Sequence, residues 1–139
     1  MFQIEIKVRF RAAHRLLPPY EGKCNNLHGE GLTAIFIFES KILDKNGMVI
    51  DFGKIKNKIK NWIDKNVDHT YLCNQDDEFA NKAFDEGFKI YPINGNPTAE
   101  NIAVLLWNKF HNSLPKDVKL KKVGIVESFD DNIAWYEAE

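Results

Sequence analysis

The strictest constraint on the fold lies at the start of the chain, where apolar and polar residues alternate from Phe2 to Phe10. A period of two is typical of a β-strand with one face buried and the other face in water. If the same phase continues through Ala12, the side chain of His14 lies on the buried side together with Phe10. Because a buried imidazole needs a polar partner, His14 is either a hydrogen-bonded core residue or a ligand.

A second apolar run, at residues 32–38, predicts another strand, and its phase carried backwards places His28 and Glu30 on one face. Two donor side chains next to each other on a strand make half a metal site. His14 is the other histidine in the first part of the chain, so it becomes the third donor, and the set suggests zinc. By itself His14 is better explained as a core histidine, but the neighbouring pair favours the metal site.

The loop between these two strands is indicated by Pro18, Pro19 and Gly22, and it ends at Cys24. The chain contains two cysteines, which could form one disulfide. Its N-terminus alternates instead of showing the apolar core of a signal peptide, so we expect a cytoplasmic protein with reduced thiols. We therefore interpret Cys24, which lies in a polar and histidine-bearing context, as reactive, and Cys73 as structural.

Two later stretches have a helical spacing of apolar residues. Residues 52–66 predict an amphipathic helix with Asp51 as its N-cap, preceded by a turn at residues 44–47 and a short strand at residues 48–50. A second helix is predicted after Thr98, which is also a candidate N-cap. Residues 72–96 are the least regular part, and we interpret them as surface structure with room for a short helix near residues 79–84.

Two polar motifs outside the first strands leave alternatives open. Residues 123–127 and 133–137 predict a hairpin, in which Glu127 has the phase of the buried side chains. Glu127 is either solvated beyond the strand end or a carboxylate that accepts N–H donors from a ligand. Asp68 and His69 form either a capping turn or a proton-transfer pair in which the carboxylate orients the imidazole. Spacing does not decide between these alternatives.

Length and charge limit the class of protein. A chain of 139 residues with 44% hydrophobic content fits one domain, residues 1–139, with an ordinary core. The formal net charge of −1 provides no broad basic surface, so we expect neither a nucleic-acid partner nor an anionic membrane partner. No apolar run approaches the roughly 20 residues that span a bilayer.

Six segments occur in a fixed order along nearly the whole chain. They are Phe10-Arg-Ala-Ala-His14, Cys24-x-x-x-His28-Gly29, Val49-Ile-Asp51-Phe52, Asp68-His69, Pro97-Thr98-Ala99-Glu100-Asn101 and Glu127. Together they resemble the 6-pyruvoyl-tetrahydropterin synthase/6-carboxy-tetrahydropterin synthase family. The resemblance implies an α+β T-fold, which is a four-stranded antiparallel sheet with two helices on one face. It also implies a homo-hexamer, a dimer of trimers with sites between subunits.

The resemblance implies one zinc ion, or another divalent metal ion, per subunit. The ligands would be His14, His28 and Glu30. One departure matters, because the family has His-Gly-His where this chain has His28-Gly29-Glu30. A carboxylate is an ordinary zinc ligand, but its added negative charge makes the metal a weaker Lewis acid and could shift the preferred metal.

The resemblance also implies a reaction with a small-molecule pterin. Cys24 would act as general base, and Asp68 would orient His69 as a second proton carrier. The substrate-binding residues would be Glu127, Thr98 and Glu100. The implied reaction converts 7,8-dihydroneopterin triphosphate to 6-carboxy-5,6,7,8-tetrahydropterin, with loss of triphosphate and acetaldehyde, in the queuosine and deazapurine pathway. The alternatives are a 6-pyruvoyl-tetrahydropterin synthase and a non-catalytic pterin-binding homologue.

Overall fold

The computed structural model describes residues 1–127 and 129–139. The strands are β1 (Phe2–His14), β2 (His28–Ser40), β3 (Thr70–Asn74), β4 (Ile90–Ile93), β5 (Lys119–Glu127) and β6 (Ile133–Tyr136). The helices are α1 (Phe52–Asn66), α2 (Glu78–Asp85) and α3 (Ala99–Phe110), and a short 3-10 helix covers Lys23–Asn25. All six strands lie in one sheet with the order β4-β3-β1-β2-β5-β6.

The centre of the sheet is the long antiparallel pair β1 and β2, with 13 residues in each strand. The register runs from Phe2 opposite Ser40 to His14 opposite His28. β2 also pairs antiparallel with β5, and β5 with β6, so β1, β2, β5 and β6 form the predicted four-stranded antiparallel sheet. The alternation at the start of the chain is confirmed, since the Phe10 side is buried and the other side is exposed.

Helices α1 and α3 pack on the same face of this sheet. Their buried residues are Ile55, Ile59 and Ile63 of α1, and Ile102, Ala103, Leu106 and Phe110 of α3. Asp51 caps α1 by accepting the N–H of Lys54 at 2.9 Å, and Thr98 caps α3 by accepting the N–H of Asn101 at 3.2 Å. The two predicted helices and their N-caps are therefore confirmed. Among the described residues, no helix has the length and apolar character that a membrane crossing requires.

The α+β T-fold prediction is confirmed, but it undercounts the elements that the structure describes. β3 and β4 extend the sheet in parallel with β1. α2 is a third helix, and it lies near residues 79–84, where the sequence left room for a short helix. β3 shows no alternation because both its faces are covered. Leu72 belongs to the main core, whereas Tyr71 and Cys73 pack with Ala80 and Ala83 of α2.

The predicted short strand at residues 48–50 is wrong. A local loop is closed instead, because the N–H of Asp44 donates to the carbonyl of Met48 at 2.8 Å and the carboxylate of Asp44 accepts the N–H of Met48 at 3.1 Å. Val49 then turns into the core, and α1 begins at Phe52. The chain satisfies these main-chain groups within the turn, so it needs no strand partner.

Candidate metal centre and catalytic pocket

The three predicted metal ligands lie together at one end of the sheet. The β1–β2 register puts His14 directly opposite His28 and Ala12 opposite Glu30, so all three ligand side chains emerge on one face. Oε2 of Glu30 lies 3.7 Å from Nε2 of His14 and 3.7 Å from Nε2 of His28. One ligand atom from each residue falls within 4.8 Å of the others. The strand pairing thus builds a cluster of two imidazoles and a carboxylate.

The other nitrogen of each imidazole is occupied by a main-chain carbonyl. Nδ1 of His14 donates to the carbonyl of Pro97 at 2.9 Å, and Nδ1 of His28 donates to that of Asn26 at 2.7 Å. These bonds put the proton on Nδ1 and leave the lone pair of Nε2 directed at the cluster, as in protein metal sites.

The Nε2 atom of His14 tests whether the cluster suits a metal ion. This atom is buried and has no hydrogen-bond partner among the described residues. A buried polar atom without a partner is costly, and coordination to a cation would satisfy it. The donor set therefore fits a divalent metal ion. If His14 were only a hydrogen-bonded core histidine, its Nε2 would be buried without a partner.

A cavity of about 360 Å³ adjoins this cluster at His14. Its wall comes from four parts of the chain: the end of β1, the loop that follows, the start of α3 and the β5–β6 connection. The lining residues are His14, Leu16, Cys24, Thr98, Ala99, Glu100, Glu127, Asp130, Asn132, Ile133 and Ala134. The structure therefore brings Cys24 and all three predicted substrate-binding residues to the cavity that a metal-cluster histidine lines.

Glu127 is a half-buried carboxylate in the wall of this cavity. It is the last residue of β5, lies opposite Leu32 and is half-buried, so the strand continues through it. Burial and the nearby charge of Glu30 raise the pKa of Glu127 above its ordinary value, and the two cluster histidines partly offset this rise. Hydrogen bonds from the N–H groups of a ligand would stabilise a half-buried carboxylate of this kind.

Thr98 and Glu100 reach the cavity for different reasons. The hydroxyl of Thr98 is engaged in capping α3, whereas Glu100 is exposed in the first turn of that helix. The sequence motif therefore combines a helix-capping residue with an exposed carboxylate in the cavity wall.

Asp68 and His69 form a hydrogen-bonded pair away from this cavity. The carboxylate of Asp68 accepts from Nδ1 of His69 at 2.8 Å and from the N–H of Arg11 at 2.9 Å. His69 has a positive φ of 53° and its N–H donates to the carbonyl of Arg11, so β1 holds the pair at its edge. Burial raises the pKa of Asp68, but the bonds from Arg11 and His69 outweigh it and leave the pKa below its ordinary value.

The imidazole of His69 is 75% exposed and lines two other surface cavities together with Arg11 and Gly31. Within one described chain, the Asp68–His69 pair and Cys24 therefore do not share a cavity. The pair has the geometry of a proton-transfer unit, because the carboxylate fixes the imidazole through Nδ1 and leaves Nε2 facing outward.

Sequence reasoning missed two residues that bind the loop of Cys24. The hydroxyl of Tyr20 accepts the N–H of Cys24 at 3.4 Å, and its side-chain hydrogen bond with Cys24 raises the pKa of Tyr20. Tyr20 lies over Gly22, where an added Cβ would clash with the hydroxyl oxygen of Tyr20. Asn96, the second missed residue, binds the loop that contains Cys24. No spacing signal marks either residue, since both contacts form across a loop without periodicity.

Comparison with known proteins gives a consistent family. The sequence profile described as "6-pyruvoyl tetrahydropterin synthase" matches residues 3–139. The 6-carboxy-5,6,7,8-tetrahydropterin synthase of Rickettsia typhi is 41% identical over 116 residues, which cover 82% of this chain and 83% of that protein. The dihydroneopterin monophosphate aldolase of Pyrococcus furiosus is 32% identical, over 96% of this chain and 97% of the relative.

Solved structures show the same fold. The 6-pyruvoyl tetrahydropterin synthase of Caenorhabditis elegans superposes with a TM-score of 0.73 at 27% identity, covering 99% of this chain and 96% of that one. An uncharacterized protein from Wolinella succinogenes gives a TM-score of 0.85 at 24% identity, with 99% and 98% coverage, which supports the fold alone.

Proposed function

The chain belongs to the 6-pyruvoyl tetrahydropterin synthase family, and we propose that it is a metal-dependent 6-carboxy-5,6,7,8-tetrahydropterin synthase. The substrate is 7,8-dihydroneopterin triphosphate, and the reaction releases triphosphate and acetaldehyde, as a lyase does. One observation carries the proposal: His14 belongs both to the metal-ligand cluster and to the cavity that Cys24 and Glu127 line. The name of the Rickettsia typhi relative supports the choice of product.

The metal ligands in this proposal are His14, His28 and Glu30, and the metal is zinc, one ion per subunit. Bound there, a divalent ion supplies Lewis acidity that makes substrate hydroxyl groups easier to deprotonate. Three protein ligands would leave room on the ion for substrate or water. Glu30 makes the donor set more negative than three histidines would, so the bound ion would be a weaker Lewis acid.

The acid–base groups in this proposal are Cys24 and the Asp68–His69 pair. Cys24, as a thiolate, removes a proton from a carbon of the substrate side chain. His69 moves a second proton through its exposed Nε2, while Asp68 holds the ring by Nδ1. Both cysteines are free thiols in the described chain, which supports a reducing, cytoplasmic compartment.

The separation of the Asp68–His69 pair from Cys24 supports a site built between subunits of a homo-hexamer. A neighbouring subunit would supply the pair, because within one chain its imidazole faces outward. The short strands β4 and β6 form the two edges of the sheet and offer unpaired main-chain groups to such a neighbour. Light scattering tests this step, and a stable monomer near 16.1 kDa at micromolar concentration contradicts it.

Glu127 binds the pterin ring in this proposal. A carboxylate accepts two parallel N–H groups well, and the half-buried setting makes such bonds stronger than they are in water. Thr98 and Glu100 complete the wall of the cavity near the ring. We also treat residues 1–139 as one tetrahydropterin-synthase-like domain, since the family profile covers residues 3–139 and one sheet contains all six strands.

The decisive experiment is product analysis by mass spectrometry after incubation with 7,8-dihydroneopterin triphosphate and zinc. The proposal expects 6-carboxy-5,6,7,8-tetrahydropterin together with stoichiometric acetaldehyde. Release of triphosphate without acetaldehyde would instead identify a 6-pyruvoyl-tetrahydropterin synthase. Binding of the pterin without any product would identify a non-catalytic homologue.

A further inference from the structure

One side-chain amide, that of Asn96, binds the middle of the loop that carries Cys24. Oδ1 of Asn96 accepts the N–H of Leu17 at 2.9 Å, and Nδ2 of Asn96 donates to the carbonyl of Leu17 at 3.0 Å. A single amide thereby binds both main-chain groups of one loop residue, whose carbonyl also accepts the N–H of Tyr20 at 3.3 Å.

Asn96 is itself fixed from the other side. Its Oδ1 also accepts from Nδ2 of Asn74, the last residue of β3, at 3.0 Å. Its main-chain carbonyl accepts the N–H of Thr98 and Nδ2 of Asn101, both at 2.8 Å. The amide that holds the loop is therefore anchored to the sheet and to the first turn of α3.

Leu17 connects to Cys24 through a second set of bonds. The N–H of Leu16 donates to the carbonyl of Cys24 at 2.8 Å, and Nδ2 of Asn25 donates to the carbonyl of Leu16 at 2.9 Å. The two sides of the loop are thus joined directly beside the residue that Asn96 holds. Moving Leu17 would move Cys24 with it.

We propose that Asn96 is a positioning residue that places Cys24 in the cavity relative to the metal cluster. The next residue, Pro97, supplies the carbonyl that binds Nδ1 of His14 at 2.9 Å. Two consecutive residues therefore hold the loop of Cys24 and one metal-ligand histidine in a fixed relation. The catalytic meaning of this placement rests on the proposed function, but the placement itself does not.

The first test measures how accessible Cys24 is in the full-length protein. Iodoacetamide modification of Cys24 and Cys73 is followed by mass spectrometry in the wild type and in Asn96→Ala. Loss of both bonds to Leu17 should speed modification of Cys24 about tenfold, because each net hydrogen bond is worth roughly a factor of a few in the opening equilibrium. Cys73 is 1% exposed and reports global unfolding, so its rate should not change.

Two further variants provide an alternative substitution and a control. Asn96→Asp retains the acceptor for the N–H of Leu17 but turns a carboxylate oxygen towards the Leu17 carbonyl, which repels it, so it should also speed modification of Cys24, and it serves if the alanine variant does not fold. Asn94→Ala is the matched control, since Asn94 is an exposed asparagine of the same connection with one long bond, at 3.3 Å, to Gln75. It should behave as the wild type does.

The second test is steady-state kinetics with 7,8-dihydroneopterin triphosphate. Misplacing a general base lowers turnover more than ground-state binding, so Asn96→Ala should lose at least about tenfold in kcat with KM changed less than about threefold. Parallel modification of both cysteines, an unchanged rate at Cys24, or faster modification with unchanged kcat would each overturn the proposal. A wild type without turnover would refute the proposed function alone, because the modification rates still decide whether Asn96 places Cys24.

Discussion

The buried carboxylate of Asp77 binds the residue that directly follows His14, so replacing it tests what stabilises the chain at the end of β1. Asp77 accepts two hydrogen bonds from Arg15, from Nε at 3.0 Å and from Nη2 at 2.7 Å. It also accepts from the hydroxyl of Tyr71 and from the N–H of Phe79. Because Arg15 directly follows His14, this ion pair fixes the exit of β1 to the start of α2.

The perturbation is Asp77→Asn, which preserves shape but replaces one acceptor by an NH₂ group. In one orientation that group faces Nη2 of Arg15 and the N–H of Phe79, and in the other it faces Nε of Arg15 and the hydroxyl of Tyr71. Removing one partner of a buried ion pair costs about 3–5 kcal/mol. The side chain of Arg15 is 27% exposed and water can partly solvate it, so we expect about 3 kcal/mol, or a melting temperature about 10 °C lower.

The effect should depend on pH in a definite direction. The hydrogen bonds from Arg15 lower the pKa of Asp77 below its ordinary value, against an opposing effect of burial, and Tyr71 adds to the lowering. A lowered folded-state pKa means that the carboxylate stabilises the fold fully above the ordinary carboxyl pKa of about 3.9. That stabilisation is lost as the pH falls through the lowered pKa of the folded state. The difference in free energy of unfolding between wild type and variant should therefore be constant from pH 8 to about 5 and become smaller in acid.

The assay is urea unfolding followed by tryptophan fluorescence at one protein concentration, at pH 7, 5 and 3.5. Asp76→Asn is the matched control, because it removes the same charge from an exposed neighbouring residue and should change stability by less than about 0.5 kcal/mol. A loss below about 1 kcal/mol for Asp77→Asn, a loss equal to that of the control, or a difference that grows in acid would refute the reasoning.

The remaining predictions concern the proposed active site. Elemental analysis of protein purified without chelator should show one divalent metal ion per chain, and Glu30→His should keep the fold and retain the metal more strongly; loss of metal in that variant would contradict the ligand geometry. Cys24→Ala should lower kcat about 10²–10⁴-fold with little change in KM, and unaltered turnover would exclude it as the general base. Asp68→Asn and His69→Ala should each lower kcat, and the double variant should be no worse than His69→Ala, since additive losses would mean that the two residues act independently. Glu127→Gln should raise KM for the pterin by roughly tenfold or more, because a charge-assisted hydrogen bond contributes about 1.5–3 kcal/mol, and an unchanged KM would remove Glu127 from the binding site.

The parts of the fold that sequence predicts best are those with one buried face. β1 and β2 alternate, so their phase could be followed to His14, His28 and Glu30 before any pairing was known. Helix α1 shows the helical spacing and an aspartate cap, and its predicted bounds of 52–66 agree with the structure. In each case the periodicity is local and records which side chains face the core.

The parts that sequence could not predict depend on contacts between distant residues. β3 has no alternation because Leu72 and Cys73 are buried on opposite faces, and its parallel pairing with β1 joins residues that are far apart in the chain. Asn96 binds Leu17 in the loop of Cys24 and Tyr20 binds Cys24 itself, through side-chain hydrogen bonds that leave no pattern in the sequence. The candidate cavity could be assembled only once these long-range contacts were known.

Strand β1 links the two halves of the proposed chemistry. Its last residue, His14, is a proposed metal ligand, while both main-chain groups of Arg11, three residues earlier, bind the Asp68–His69 pair. If sites form between subunits as we propose, β1 of each chain holds a metal ligand for one site and the proton-transfer pair for a neighbouring site. The long pairing of β1 with β2 then has a functional consequence. A shift of its register by one residue would turn His14 to the other face of the sheet and would also displace the Asp68–His69 pair that Arg11 binds.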